Sequence, residues 1–255
     1  MSVGQSIVVA SGKGGVGKTS VVAGVSACLA KLGKTVICVD GDAGLRNLDL
    51  VMGLQEQAVF DFTDVLANRA SLDDALVRHP DIEGLSLLAA PGFTSPAQIE
   101  AAAFRALIET LTERVDFVLV DSPAGLGTGF QMVSEACAGA IVVTTPNQSA
   151  MRGAARCAET LYNRDPAKLI VNRVQPRLIK LQHAHSIDEI MDTVGLPLLG
   201  LVPEDEMVLA AQNHNIPIVL ATGTGAAVAY CNIADRLLGN PCPLPRKLKE
   251  WRVEG

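Results

Sequence analysis

Gly12-Lys13-Gly14-Gly15-Val16-Gly17-Lys18-Thr19 packs four glycines, two lysines and a threonine into eight residues. Glycines lack a Cβ, so successive backbone N–H groups can curl inward around a polyphosphate. The apolar run 7–10 before this stretch reads as a strand, and the small residues from Ser20 onward read as a helix. A helix N-terminus adds partial positive charge at the same place. The spacing is that of a phosphate-binding loop, G-x-x-x-x-G-K-[ST]. Gly12, Lys13, Gly14, Gly15, Val16, Gly17, Lys18, Thr19 and Ser20 are therefore the candidate nucleotide-binding residues. Lys18 is expected to reach the β- and γ-phosphates and the Thr19 hydroxyl to ligate Mg²⁺. Lys13 is one lysine more than such a loop needs. It is either a solvated surface residue or a cation for a nucleotide held by a second subunit, and the loop pattern alone does not choose.

Acids stand where strands should end. The run 35–39 is unbroken and apolar, as in a strand buried on both faces, and closes on Asp40-Gly41-Asp42. Ligands of open α/β sheets sit beyond the carboxyl ends of strands, so both aspartates should face the phosphates, serving Mg²⁺ or the attacking water. The second such strand, 117–120, ends in Asp121-Ser122-Pro123-Ala124-Gly125, the Walker-B form in which the acid holds Mg²⁺ directly or through water. Glycines through Gly129 would let the following loop pivot. A third strand, 168–171, ends at Asn172, which either reads a purine edge or caps a turn.

The elements that must position these residues follow in order. Helices are expected over 18–32, 98–114, 149–162, 187–194 and 226–238, with strands at 85–89, 140–145 and 197–202 between them. Ile99, Ala102, Ala103, Leu107 and Leu111 should form the buried stripe of 98–114. Two short amphipathic stretches lie near 61–68 and 71–78, and 176–185 reads as a polar surface loop. Alternating strands and helices predict an α/β fold, doubly wound, with a mostly parallel sheet flanked by helices. The 255 residues suit one such domain, over 1–240, followed by a tail at 241–255. A net charge of −6 argues against a general polyanion binder. Six scattered cysteines without C-x-x-C pairing read as buried, reduced thiols, and the four histidines show no metal spacing. The chain runs straight into its first strand, so no leader is expected.

Several stretches together resemble the deviant Walker-A ParA/MinD class of ATPases: Lys-Gly-Gly-Val-Gly-Lys-Thr at 13–19, Gly-Leu-Arg-Asn-Leu-Asp-Leu-Val-Met-Gly at 44–53, Asp-Ser-Pro-Ala-Gly at 121–125, Ile-Val-Val-Thr-Thr-Pro at 141–146 and Val-Pro-Glu-Asp-Glu at 202–206. The likeness runs from about residue 5 to residue 240, and 44–53 favours the MinD branch over plasmid-partition relatives. It implies a Mg²⁺-dependent ATPase that is monomeric with ADP and dimeric with ATP. Lys13 would then cross the interface to the partner's nucleotide. Asp42 would position the attacking water with Asp40 alongside, Asp121 would be the Walker-B acid, and Asn172 and Pro203 would border the adenine. It further implies a cytoplasmic protein, peripheral on the inner face of the cell membrane when ATP-bound, with a division inhibitor of MinC type and an activator of MinE type as partners and no specific nucleic acid.

Two places depart from the class. Acids are common after Thr-Thr-Pro and after the following Ser-x-x-Arg, whereas Asn147, Gly153 and Ala155 stand there, on a surface that serves dimer and partner contacts. The tail is the second. The class usually ends in an amphipathic helix, and Leu244, Leu248 and Trp251 fall on one helical side among Arg246, Lys247, Lys249 and Arg252, while Glu250 and Glu254 dilute the charge. Residues 244–252 are the expected membrane contact. The alternatives within the class are a ParA-like chromosome or cargo partitioner and a MinD-like flagellar-number regulator. An iron–sulfur carrier needs paired cysteines that Cys231 and Cys242 do not supply.

Overall fold

The computed structural model describes residues 4–242. Eight strands form one sheet: β1 (Gln5–Ala10), β2 (Val36–Asp40), β3 (Leu76–Arg78), β4 (Leu85–Leu88), β5 (Phe117–Asp121), β6 (Gly139–Thr144), β7 (Ala167–Val174) and β8 (Leu198–Pro203). Their order across the sheet is β3-β4-β2-β5-β1-β6-β7-β8, and only the edge pair β3–β4 is antiparallel. The helices are α1 (Lys18–Lys31), α2 (Leu48–Met52), α3 (Phe62–Leu66), α4 (Leu72–Ala75), α5 (Ala101–Thr112), α6 (Thr128–Ala136), α7 (Gln148–Leu161), α8 (Pro176–Lys180), α9 (Ile187–Val194), α10 (Glu206–Asn213), α11 (Ile218–Ala221) and α12 (Gly225–Leu237).

The central strands are apolar in both directions because both faces are covered. Successive side chains of a strand point to opposite faces. Ile7 and Val9 of β1 join the core shared with α1 and α12, while Val8 and Ala10 join the core shared with α5, α6, α7 and α9. The expected doubly wound, mostly parallel architecture is thus the observed one. With parallel strands, the carboxyl ends of β1, β2, β5, β6 and β7 share one edge, and every candidate site residue lies at or just beyond it.

Several local expectations are corrected. Residues 71–78 hold the one-turn helix α4 followed by β3, a strand too short for alternation to reveal. The 98–114 stretch opens with a 3₁₀ turn, Pro96–Gln98, and α5 buries Phe104, Leu107, Ile108 and Leu111 while Ala102 is exposed. The bulkier side chains win the core-facing side. The polar stretch 176–185 contains α8, started by Pro176 at its first turn. Strand β7 does not stop at Asn172. A bulge with Arg173 at φ 55 absorbs the polar pair, and Val174 resumes pairing with Pro203.

The cysteine expectation fails at one pair. Cys28 in α1 and Cys231 in α12 form a disulfide, with Cα atoms 5.0 Å apart. They are 203 residues apart in sequence, so spacing could not reveal them. The two helices meet because α1 is small where they cross, and the ring of Tyr230 fills the place a Cβ on Gly24 would take. Cys38, Cys137 and Cys157 are free and buried as expected, and burial pushes each thiol up to about 12. The tail expectation over 244–252 lies outside the described residues. Among the described residues, no helix is long and apolar enough to cross a membrane.

Closing so long a loop restricts the unfolded chain, an effect typically worth about 2–4 kcal/mol. Urea unfolding of the oxidised protein is expected to shift to lower urea on adding a thiol reductant, and Cys231→Ser should show no such shift.

Candidate functional site

The glycine loop leaves the end of β1 at Ser11 and enters α1 at Lys18. Gly17 precedes the helix at φ 93, in the left-handed region that favours glycine. Neighbours hold the loop from several sides. The Ser11 hydroxyl donates to the Lys13 carbonyl at 2.8 Å, and the Gly125 N–H donates to the Ser11 carbonyl at 3.2 Å. The loop after β5 therefore lies directly on the phosphate loop, with Ala124 in contact range of a Cβ built on Gly14.

Asn172 braces the loop from β7. Its side-chain amide is buried and donates to the Val16 carbonyl at 2.8 Å, and it fills the space that a Cβ on Gly17 would need. Neither a turn cap nor a strand end describes it. The residue is a structural support for the loop, whatever else it touches.

Lys18 is buried under the loop and Lys13 is exposed. Thr19, in the first turn of α1, donates its hydroxyl to Asp121 Oδ2 at 2.6 Å. The other oxygen, Asp121 Oδ1, is buried with no hydrogen-bond partner. Burial pushes the Asp121 carboxyl up to about 7, and the nearby Asp40 adds to the rise. Asp40 and Asp121 are register partners at the ends of the adjacent strands β2 and β5. Burial pushes Asp40 up to about 6.

Asp40, expected beside Mg²⁺, is also a support for the backbone. Its Oδ1 accepts the Asp42 N–H, and its Oδ2 accepts the N–H groups of Asn47 and Leu48, each at 3.0 Å. These bonds shape the loop from 41 to 48. Arg46, at φ 45, completes that loop by pairing with Asp49 at 2.6 Å and donating to the Ala58 carbonyl. Leu48, Met52 and Leu54 are buried beneath it. Asp42 is half-buried. Burial raises its pKa, and the neighbouring Lys18 ammonium acts against that rise.

A cavity of about 380 Å³ opens on the far flank of the loop, walled by Lys13, Gly15, Val16, Asn147, Arg173 and Glu204. Pro203, at the end of β8, adjoins Glu204. Asn147 caps α7, accepting the Ser149 and Ala150 N–H groups. Gly153 touches Gly12 backbone to backbone, so it does not belong to the outer surface alone. Sequence reasoning placed Gly125 in a pivoting loop after β5 but missed Ser11 and the contact of Gly153 with the phosphate loop. Gly153 alone of these two carried a signal, a glycine inside a helix.

A strand–glycine loop–helix unit with an acid ending the neighbouring strand defines a P-loop nucleotide-binding fold. Residues 7–218 match the family model described as the CobQ/CobB/MinD/ParA nucleotide binding domain. The septum site-determining protein MinD of Synechocystis is 40% identical over 240 residues, covering 93% of this chain and 90% of that protein. A MinC:MinD cell division protein complex from Aquifex aeolicus superposes with TM-score 0.87 at 36% identity, over 95% of this chain and 99% of that one. Septum site-determining MinD of Pyrococcus horikoshii, solved with Mg-ADP, gives 0.81 at 28% identity, over 91% and 95%. The chain belongs to the CobQ/CobB/MinD/ParA nucleotide-binding family and, within it, to the MinD ATPases of septum site determination.

Removing the Asn172 brace leaves the buried Val16 carbonyl without its donor. Asn172→Ala is expected to destabilise the nucleotide-free protein by about 1–3 kcal/mol, measured by urea unfolding.

Proposed function

We propose that this protein is a Mg²⁺–ATP-dependent dimerising switch that positions the division site by bringing a division inhibitor to the membrane in its ATP state. The observation that carries the reading is the Thr19–Asp121 hydrogen bond with the orphaned Asp121 Oδ1 beside it. A buried carboxylate oxygen without a partner is costly unless a ligand or cation meets it. The donor set fits Mg²⁺, which is ordinarily held by one or two protein oxygens together with substrate phosphates and water. Thr19 would hold it, with Asp121 directly or through water. Bound there, it would supply positive charge that offsets the phosphate charge.

The chain's own residues supply the rest. The loop N–H groups and Lys18 cradle the phosphates. Asp42 orients the attacking water, and Asp40 fixes the 41–48 loop on which Asp42 rides. The cavity beside Val16 receives the base or ribose, bordered by Glu204 next to Pro203 and by Arg173 of β7. Exposed Lys13 is the group free to serve a second copy's nucleotide. That makes the catalytic set complete only in a dimer, so hydrolysis is slow until dimerisation or a partner completes it.

A relative supports the inhibitor, and the tail sequence supports the membrane contact. The Aquifex neighbour was solved with MinC, which supports a division inhibitor of that type, and an activator of MinE type would act on the same ATP state. The membrane contact is assigned to the sequence at 244–252, where Leu244, Leu248 and Trp251 recur at helical spacing, and so short an apolar stripe would bind a bilayer weakly alone. Two copies in a dimer multiply its effect through effective concentration, which would make membrane binding ATP-dependent.

Lys13→Ala is expected to bind ADP like the wild type yet remain monomeric with ATP, read by size-exclusion with light scattering. A variant that dimerises and hydrolyses normally would refute the trans role of Lys13. In liposome sedimentation, ATP but not ADP should pellet the full chain, and truncation after Gly239 should abolish pelleting. The same pelleting with and without the tail would remove the anchor from the account.

A further inference from the structure

Helix α7 runs against the phosphate loop with its bare backbone. A Cβ on Gly12 would collide with the Gly153 carbonyl oxygen, and a Cβ on Gly153 would stand 2.9 Å from the Gly12 carbonyl carbon. One turn before, Ala150 is buried and shares with Val16 the wall of the cavity beside the loop. One turn after, Cys157 is buried within reach of the Lys18 charge. Ala150, Gly153 and Cys157 thus line the side of α7 that faces the loop and its lysine, at helical spacing. Arg152 and Arg156 face outward.

The glycine is not there for its backbone. Gly153 lies inside α7 and is not among the positive-φ residues, so alanine would suit the helix better. What glycine provides is clearance. In the packing of this chain, a side chain added at 153 requires α7 to withdraw or the first glycine of the loop to move, and the N–H groups that follow move with it; an acid, common at this place in the class, needs a wider spacing than the one seen here.

We infer that Gly153 is a positioning residue for phosphate binding: contact of its backbone with Gly12 sets where the loop sits relative to Lys18. The inference rests on the nucleotide reading above and goes beyond it, since it makes α7 part of the loop's support.

The test compares wild type, Gly153→Ala and, as a control two residues along the same helix, Ala155→Ser. Melting without nucleotide, calorimetric ADP affinity in Mg²⁺ and the ³¹P resonances of bound ADP are measured for each. Gly153→Ala is expected to fold, to bind ADP at least tenfold more weakly and to shift the bound phosphate resonances, while Ala155→Ser matches the wild type. Wild-type affinity in Gly153→Ala, or weaker binding with unmoved resonances, would overturn the inference. So would a Gly153→Ala protein that does not fold, because the glycine would then serve the fold alone. A wild type that leaves free ADP unchanged would sink the nucleotide reading and this inference together. Failure confined to the variant arm sinks only the inference.

Discussion

Asp40 and Asp121 sit side by side at the ends of neighbouring strands, both buried and both raised by burial, and the Asp40 charge adds to the rise of Asp121. Two carboxylates taken out of water at that spacing need compensation. Asp40 obtains it from three backbone N–H groups and Asp121 obtains half of it from Thr19. The unmet half is one oxygen, Oδ1 of the carboxylate that meets Thr19 in the first turn of α1. The arrangement divides the work: one acid shapes a loop and the other keeps an oxygen without a partner.

That division makes the surrounding loops interdependent. The 41–48 loop is folded onto Asp40, the 121–129 loop is hydrogen-bonded to Ser11, and Asn172 grips Val16. Each loop touches the phosphate loop or an acid beside it. Elements from three strand ends and from α7 therefore pack on the phosphate loop or on the acids beside it, while Lys13 and the outer face of α7 are exposed.

Much of this was legible in the sequence because its causes are local. The phosphate loop, the acids ending β2 and β5, and the alternation of buried strands with helices are patterns within windows of ten to fifteen residues. What escaped depends on distant packing. Asn172 looked like the end of a strand because the polar pair Asn172-Arg173 breaks the apolar run, whereas the chain absorbs it in a bulge and spends the amide on Val16. The loop-shaping bonds of Asp40 escaped because nothing near it in sequence announces the amides of 47 and 48. Gly153 looked like a lost surface acid, and only the approach of α7 to Gly12 explains it. Cys28 and Cys231 had no signal at all.

The central claim is that Asp121 keeps one oxygen for a divalent cation. Calorimetric ADP binding with and without Mg²⁺, in the wild type and in Asp121→Asn, tests it most directly. The account expects Mg²⁺ to tighten ADP binding to the wild type, and expects Asp121→Asn to keep the Mg²⁺-free affinity while losing that gain. An Asp121→Asn protein that responds to Mg²⁺ as the wild type does would contradict it.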